Sequence, residues 1–372
     1  MSTDKSLPVA PNRAATLAGS VWRAVSVPLV SVVLAGLIGA LLLYSSGASP
    51  LAAYAALFKG SFGSSVAWGR TLEKATPLLF TGLAVAFGFK AGLFNIGVQG
   101  QLLLGALTAA VVGFLPLGLP PILHAPLAFL AGGLAGALFG AIPGALKTYT
   151  GAHEVITTIM LNYVAINLTD YLADGPLKDM TPGNIVARTP PILESAAIGK
   201  IGVVPIGFFM ALIAAVIVWW VLWSTTLGFE VRTVGLNPHA ARYAGVKVAR
   251  TVILAMAISG LLAGMGGAIE SLGVVGRYQP GFNAGLGVEG ITIALLGQSH
   301  PFGVIPAALL VGALRAGASQ MQFSAGVAKE ITDVIQALIL FFVAADVIVR
   351  WLIRQRAVPS EQPVLTTGLG KN

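Results

Sequence analysis

Apolar stretches close to twenty residues long recur between residues 27 and 350, parted by short polar segments, and no other feature constrains the fold as tightly. A helix needs about 20 predominantly apolar residues to cross the hydrocarbon core of a bilayer. The runs 27–45, 73–89, 95–117, 122–145, 151–172, 203–224 and 251–271 fit that requirement. The stretch 286–317 carries a polar break, GQSHPFG, and reads as two short helices meeting at a turn, and 331–350 completes the set. Charged residues make up 10% of the chain, against about 25% in a soluble globular domain, too few to cover a water-facing surface. The expected fold is all-α: a polytopic membrane protein with about ten transmembrane helices, short or broken ones included.

The charges suggest how such a chain lies in the bilayer. Lys5, Arg13 and Arg23 precede the first run, which is longer than a signal-peptide core and ends without a cleavage pattern, so it reads as an uncleaved span. The formal charge of +8 then marks loops rather than affinity for nucleic acid. With the N-terminus inside, Lys147, Arg232, Arg242, Lys247, Arg250, Arg350, Arg354 and Arg356 fall on the cytoplasmic side. Lys59, Lys178, Arg188, Lys200 and Arg277 are spread over longer segments on the other side, the bias that the positive-inside rule describes. Ten spans place both termini in the cytoplasm. The expected organisation is an N-terminal tail (1–25), a transmembrane domain (26–350) with an external loop at 173–202 and a cytoplasmic segment at 228–250, and a C-terminal tail (351–372). Trp219, Trp220 and Trp223 cluster at one end of the sixth run as interface anchors.

Enzyme chemistry finds no foothold. The chain has no cysteine, which excludes disulfides and thiolate nucleophiles, and neither an HExxH nor a GxSxG motif. His124, His153, His239 and His300 are scattered without metal-ligand spacing. There is no GxxxxGK[ST] loop, so any ATP hydrolysis belongs to a separate partner, and the chain itself is expected to bind no cofactor.

Polar groups within the apolar runs are the candidates for function. Glu154 opens the fifth run and Asp170 lies near its end, where capping, loop contact or a mechanistic role are all open; Glu270 and Glu289 flank an external loop. These do not form the chain of intramembrane acids that proton-coupled carriers use. Asn162 sits mid-run and must bond another helix or face a polar cavity. The octet FNIGVQGQ (94–101) concentrates Asn95, Gln99 and Gln101 among glycines and reads as a broken or re-entering helix start. Its amides either satisfy freed backbone groups or face a pathway. The stretches 131–146 and 259–273 are rich in Gly, Ala and Ser, which lets helix backbones approach closely. Within 228–250, Pro238 starts a short surface helix carrying Arg242 and ending near Gly245; its sparse charge favours a protein contact over a lipid surface.

Four stretches, FNIGVQGQLLLGA, HEVITTIMLNY, GLNPHAARYAGV and GITIALLGQSHPFGVIPAALLVGALRAGA, carry a family resemblance. In that order, over nearly the whole chain, they resemble the permease subunits of bacterial ABC importers of the branched-chain amino acid, ribose and nucleoside group. HEVITTIMLNY is most similar to the nucleoside and simple-sugar branch. The resemblance implies a location in the cell inner membrane and three partners. These are ABC ATP-binding subunits, where ATP and Mg act; a second permease subunit, paralogue or self; and an extracytoplasmic binding protein or lipoprotein. It also implies that the region Gly235 to Gly245 engages the ATPase, with Gly235, Ala240, Ala241 and Gly245 as small positions and Arg242 and Tyr243 as exposed contacts. The EAA signature of type I importers is missing, as is usual for this branch. The expected solute is a nucleoside, with a simple sugar as the alternative; an ion-coupled carrier and a membrane scaffold are the rivals on physical grounds. The amides of Asn95, Gln99, Gln101 and Asn162 suit a neutral polyhydroxylated solute, and amides also hold helices together.

Overall fold

The computed structural model describes residues 13–281, 285–328 and 330–344. Lys5 and the segment 345–372, including Arg350, Arg354 and Arg356, lie outside the described residues.

Each of the ten apolar runs contains a helix. These are α1 (Arg13–Ser45), α3 (Ser65–Lys90), α4 (Val98–Phe114), α5 (Pro121–Thr150), α6 (Glu154–Asp174), α7 (Ile206–Ser224), α10 (Val248–Ile269), α11 (Leu286–Leu296), α12 (Pro301–Ala325) and α13 (Glu330–Ala344). Among the described residues seven helices are long and apolar enough to cross a membrane, while α4 and α11 are shorter apolar helices. Three further helices fill the connections: α2 (Pro50–Phe62), α8 (Thr226–Leu236) and α9 (Pro238–Tyr243).

Local chemistry sets the boundaries that hydropathy leaves vague. The less apolar stretch before the second run forms α2, capped by Ser49 with Pro50 in its first turn, and then the start of α3, which begins at Ser65 rather than 73 because Ser64 caps it. Helix α4 begins at Val98 rather than 95, because Asn95 Oδ1 accepts the Gly97 N–H and holds the residues before Val98 out of the helix. The region 286–317 departs most from expectation. The turn at Gln298 and Ser299 is present, both residues at left-handed φ, but only α11 is short. Helix α12 runs for 25 residues, because His300 accepts from the Phe302 N–H, Pro301 is pre-set for the first turn, and no breaker interrupts the apolar run after Pro306.

Helix α3 is central, with 83% of its most apolar window buried, whereas α6 is peripheral at 17%. Around α3 the core gathers Leu78, Leu79, Phe80, Leu83 and Phe87 with Leu102, Met256 and Ile269. The two small-residue stretches lie against each other, α5 on α10. A Cβ on Gly136 would run into the carbonyl oxygen of Gly260, and one on Gly260 into that of Gly136. Backbone contact this close is the main attraction available to helices whose outer surfaces are equally at ease in lipid.

The polar segment after α6 is laced to the bundle rather than loose. Leu193 N–H donates to Gly113 O at 2.9 Å, Ile198 N–H to Leu272 O at 2.9 Å, and Thr189 N–H to Tyr278 O at 2.9 Å. Its last part is a two-strand hairpin, β1 (Lys200–Ile201) with β2 (Val204–Pro205), tied to α3 by Lys200 Nζ donating to Glu73 Oε2 at 2.5 Å. Helix α10 passes at this end of the bundle into a π-helical turn, Glu270–Val275.

Candidate functional site

Three polar constellations stand out in the apolar bundle. The first is built on the turn between α3 and α4. Asn95 and Gln101 exchange hydrogen bonds, Nδ2 to Oε1 at 2.9 Å and Nε2 to Oδ1 at 3.2 Å. Asn95 Nδ2 also donates to Ser259 Oγ on α10 at 2.9 Å, and Ser259 Oγ donates to Ala84 O on α3 at 2.7 Å. Asn95 Oδ1 further accepts the Gly97 N–H at 3.0 Å. Both donors and the acceptor oxygen of this 1%-exposed side chain are thereby engaged, as a buried amide requires. Asn162 bridges from α6: Nδ2 donates to Ile96 O at 2.9 Å and Oδ1 accepts from Gly100 N at 2.8 Å. Gln99 points elsewhere. Its Oε1 accepts from Gly287 N at 2.8 Å and satisfies an otherwise unbonded N–H in the first turn of α11. The structure thus brings Asn95, Gln101 and Asn162 onto one turn and sends Gln99 to the start of α11.

The second constellation is the α8–α9 segment. Asn237 ends α8 and caps α9, its Oδ1 accepting from His239 N and Ala240 N, both at 3.0 Å. Gly245, at φ +84, terminates the short helix in a conformation that suits glycine. The positions divide by exposure. Ala241 is fully buried, and Gly235 lies so close to the end of α3 that a Cβ would strike Lys90 O. Ala240, Arg242, Tyr243 and Gly245 face outward, Tyr243 at 94% exposure. Beside this segment, Trp223 of α7 is flanked by Lys90 Nζ at 5.8 Å and Arg232 Cζ at 5.9 Å from its ring centre, with the His300 ring at 5.0 Å. Four elements therefore meet on one indole. Burial, and then the Lys90 ammonium, hold His300 below its ordinary 6.5 and favour the neutral ring.

The third is ionic. Arg315 of α12 pairs with Glu289 of α11, and the charges of Arg315, Lys74 and Glu73 all act on the buried Glu270. Sequence reasoning misses Arg315, although a lone arginine inside PFGVIPAALLVGALRAGASQMQF is a visible signal. It also misses Lys147 as the partner of Glu154. The two form a buried pair, 2.6 Å apart, joining the end of α5 to the start of α6. Asp170 sits half-buried near the far end of α6. Among the described residues no group of three or more His, Cys, Asp or Glu is placed to hold a metal ion.

Residues 69–344 match the family model described as branched-chain amino acid transport system / permease component. The chain is 42% identical over 336 residues to the guanosine ABC transporter permease protein NupP of Bacillus subtilis, covering 88% of this chain and 94% of the relative. It is 35% identical over 357 residues to the nucleoside ABC transporter permease protein NupB of Lactococcus lactis, covering 93% and 98%. It is also 35% identical over 333 residues to the glucose ABC transporter permease protein TsgB13 of Haloferax volcanii, covering 86% and 87%. No solved structure matches.

Proposed function

This chain belongs to the branched-chain amino acid transport system / permease component family, and from that premise we propose that it forms the nucleoside pathway of an ATP-driven importer. It is an ABC transporter permease component, not itself an enzyme, and a multi-pass membrane protein. The observation that carries the choice of solute is the 42% identity, over nearly the full length of both chains, to a permease named for guanosine. A second reading, a simple-sugar importer, is favoured by the 35% identity to a glucose permease.

In this reading a second permease subunit completes the path, an extracytoplasmic binding protein or lipoprotein delivers the solute, and ATP with Mg acts in separate ATP-binding subunits. The α8–α9 segment is the coupling surface, with Ala240, Arg242, Tyr243 and Gly245 outward for the ATPase. Gly235 and Ala241 are its inward anchors. A push on α9 passes through the Gly235 backbone to Lys90 and Gly92, where the chain turns toward Asn95. The same push passes through Arg232 to Trp223 and the His300 turn. Both routes reach helices that begin within the bundle, α4 and α11, so a small movement of the surface segment re-angles the interior. Because Asn95 and Gln101 spend their bonds on each other, their role is to hold that turn together. The weak charge of the surroundings suits a neutral solute whose affinity resides in the binding protein.

Reconstitution of the chain with its ATPase, second permease and binding protein tests the assignment. Expected is ATP-dependent uptake of nucleosides in preference to free ribose or glucose. Preferential uptake of a free sugar moves the assignment to the second reading, and uptake by the chain alone without ATP overturns the importer.

A further inference from the structure

Glu289 lies in the first turn of α11, where the helix dipole favours a carboxylate. Another face of that helix is fixed by Gly287 against Gln99 and by Gly290 against Thr81. Arg315 lies near the middle of α12, about 20 Å along the axis from Pro301 at 1.5 Å per residue. Its Nη2 donates to Glu289 Oε1. The pair is not sealed: Arg315 and Glu289 keep 27% and 20% of their side-chain surface, and the neighbouring Val288 is 50% exposed. A half-open ion pair in mid-span is too costly to face hydrocarbon, and such groups turn to a water-filled cavity or to protein. Oε2 of Glu289 is itself buried and has no hydrogen-bond partner among the described residues, so a solute reaches it only when α11 and α12 part. The guanidinium, a fork of five N–H donors, commits one of them to Glu289. A buried, uncommitted acceptor and uncommitted donors therefore sit side by side, with Asp333 of α13 and Glu270 of the π-helical turn as the acids whose charge acts on the pair.

We infer that Glu289 and Arg315 line the water-filled translocation path and recognise two adjacent hydroxyls of the solute's sugar ring. One hydroxyl donates to Glu289 and its neighbour accepts from Arg315. The inference rests on the importer reading and names the part of the solute that this chain itself reads. Nucleosides and hexoses share that diol, and a charge pair that cancels can serve a neutral solute where an isolated charge would hold an ion.

The test uses the complete reconstituted importer and compares uptake of a ribonucleoside with that of its 2′,3′-dideoxy analogue, each at saturating binding protein. The ratio is internal, so it does not depend on how much of a variant folds. The unsubstituted importer is expected to favour the ribonucleoside by about tenfold or more, and Glu289→Gln or Arg315→Lys to bring the ratio to within about twofold of one. An unchanged ratio in a variant that transports overturns the inference. Because the chain has no cysteine, Val288→Cys gives an independent measurement. A water-soluble methanethiosulfonate should modify it in the assembled importer and ribonucleoside should slow the reaction; absence of modification overturns the pathway position even if the charge variants are silent. Absence of ATP-driven uptake by the unsubstituted importer would instead remove the function on which the inference rests, a separate and recognisable failure.

Discussion

A single side chain, Asn95, closes the link between α3, α4 and α10. Replacing it with leucine leaves the buried Gln101 amide, Ser259 hydroxyl and Gly97 N–H short of partners. Each buried group so orphaned costs about 1–3 kcal/mol. Asn95→Leu should therefore lower the melting temperature of the purified protein in detergent by several degrees, and an unchanged melt would show that the turn repacks. Asp179 acts at the same scale. Hydrogen bonds from the Thr181 side chain and backbone, then Arg188 and Arg277, hold its carboxyl below the ordinary 3.8 against the opposing effect of burial. A depressed carboxyl contributes stability above its unfolded value, and that contribution is lost as pH falls through the folded value. Backbone amides between residues 179 and 192 should keep slow hydrogen exchange at about pH 5 and lose it below about pH 3.8. Asp179→Asn should exchange fast already at the higher pH. Equal protection in both proteins would show that the latch is elsewhere. Asn95 and Asn162 were legible in the sequence as polar residues needing partners; which partners they find is not, because Ser259 lies 164 residues away from Asn95.

At the scale of elements, the pairing of α5 with α10 depends on the absence of side chains. Gly136→Ala places a methyl group against the Gly260 carbonyl, and overpacking of this kind costs about 1–3 kcal/mol. Gly36→Ala meets nothing within 4 Å and serves as the neutral comparison; equal melting temperatures for the two variants would contradict the close crossing. The small-residue stretches were visible in the sequence, and so was the turn at 297–303. The length of α12 was not, since the apolar run fades near 317 while the helix continues through a more polar last turn to its left-handed cap at Gly326. Nor was α2, whose composition is too mixed for a membrane period and whose start is set by Ser49 and Pro50.

For the whole molecule, the importer reading requires the α8–α9 surface and the segment after α6 to lie on opposite sides of the membrane. Ile185, 90% exposed, and Tyr243, 94% exposed, are suitable single-cysteine positions in a chain that has none of its own. Ile185→Cys should react with an impermeant thiol reagent only from outside intact cells, and Tyr243→Cys only in inverted vesicles. Labelling of both from one side would reject the orientation.

The sequence by itself determined that this chain is a nearly all-helical membrane protein of about ten apolar helices. Those properties depend on local quantities: run length and charge density. The tertiary structure alone decided that Asn95 spends its hydrogen bonds on Gln101 and Ser259, that Gly235 rests on the end of α3, and that Glu289 meets Arg315. Hydropathy is nearly indifferent to which apolar helices adjoin, because lipid and protein interior are similar solvents for a leucine. Steric fit between glycine faces and the need to pair each buried polar group choose among the arrangements, and both act between residues far apart in the chain.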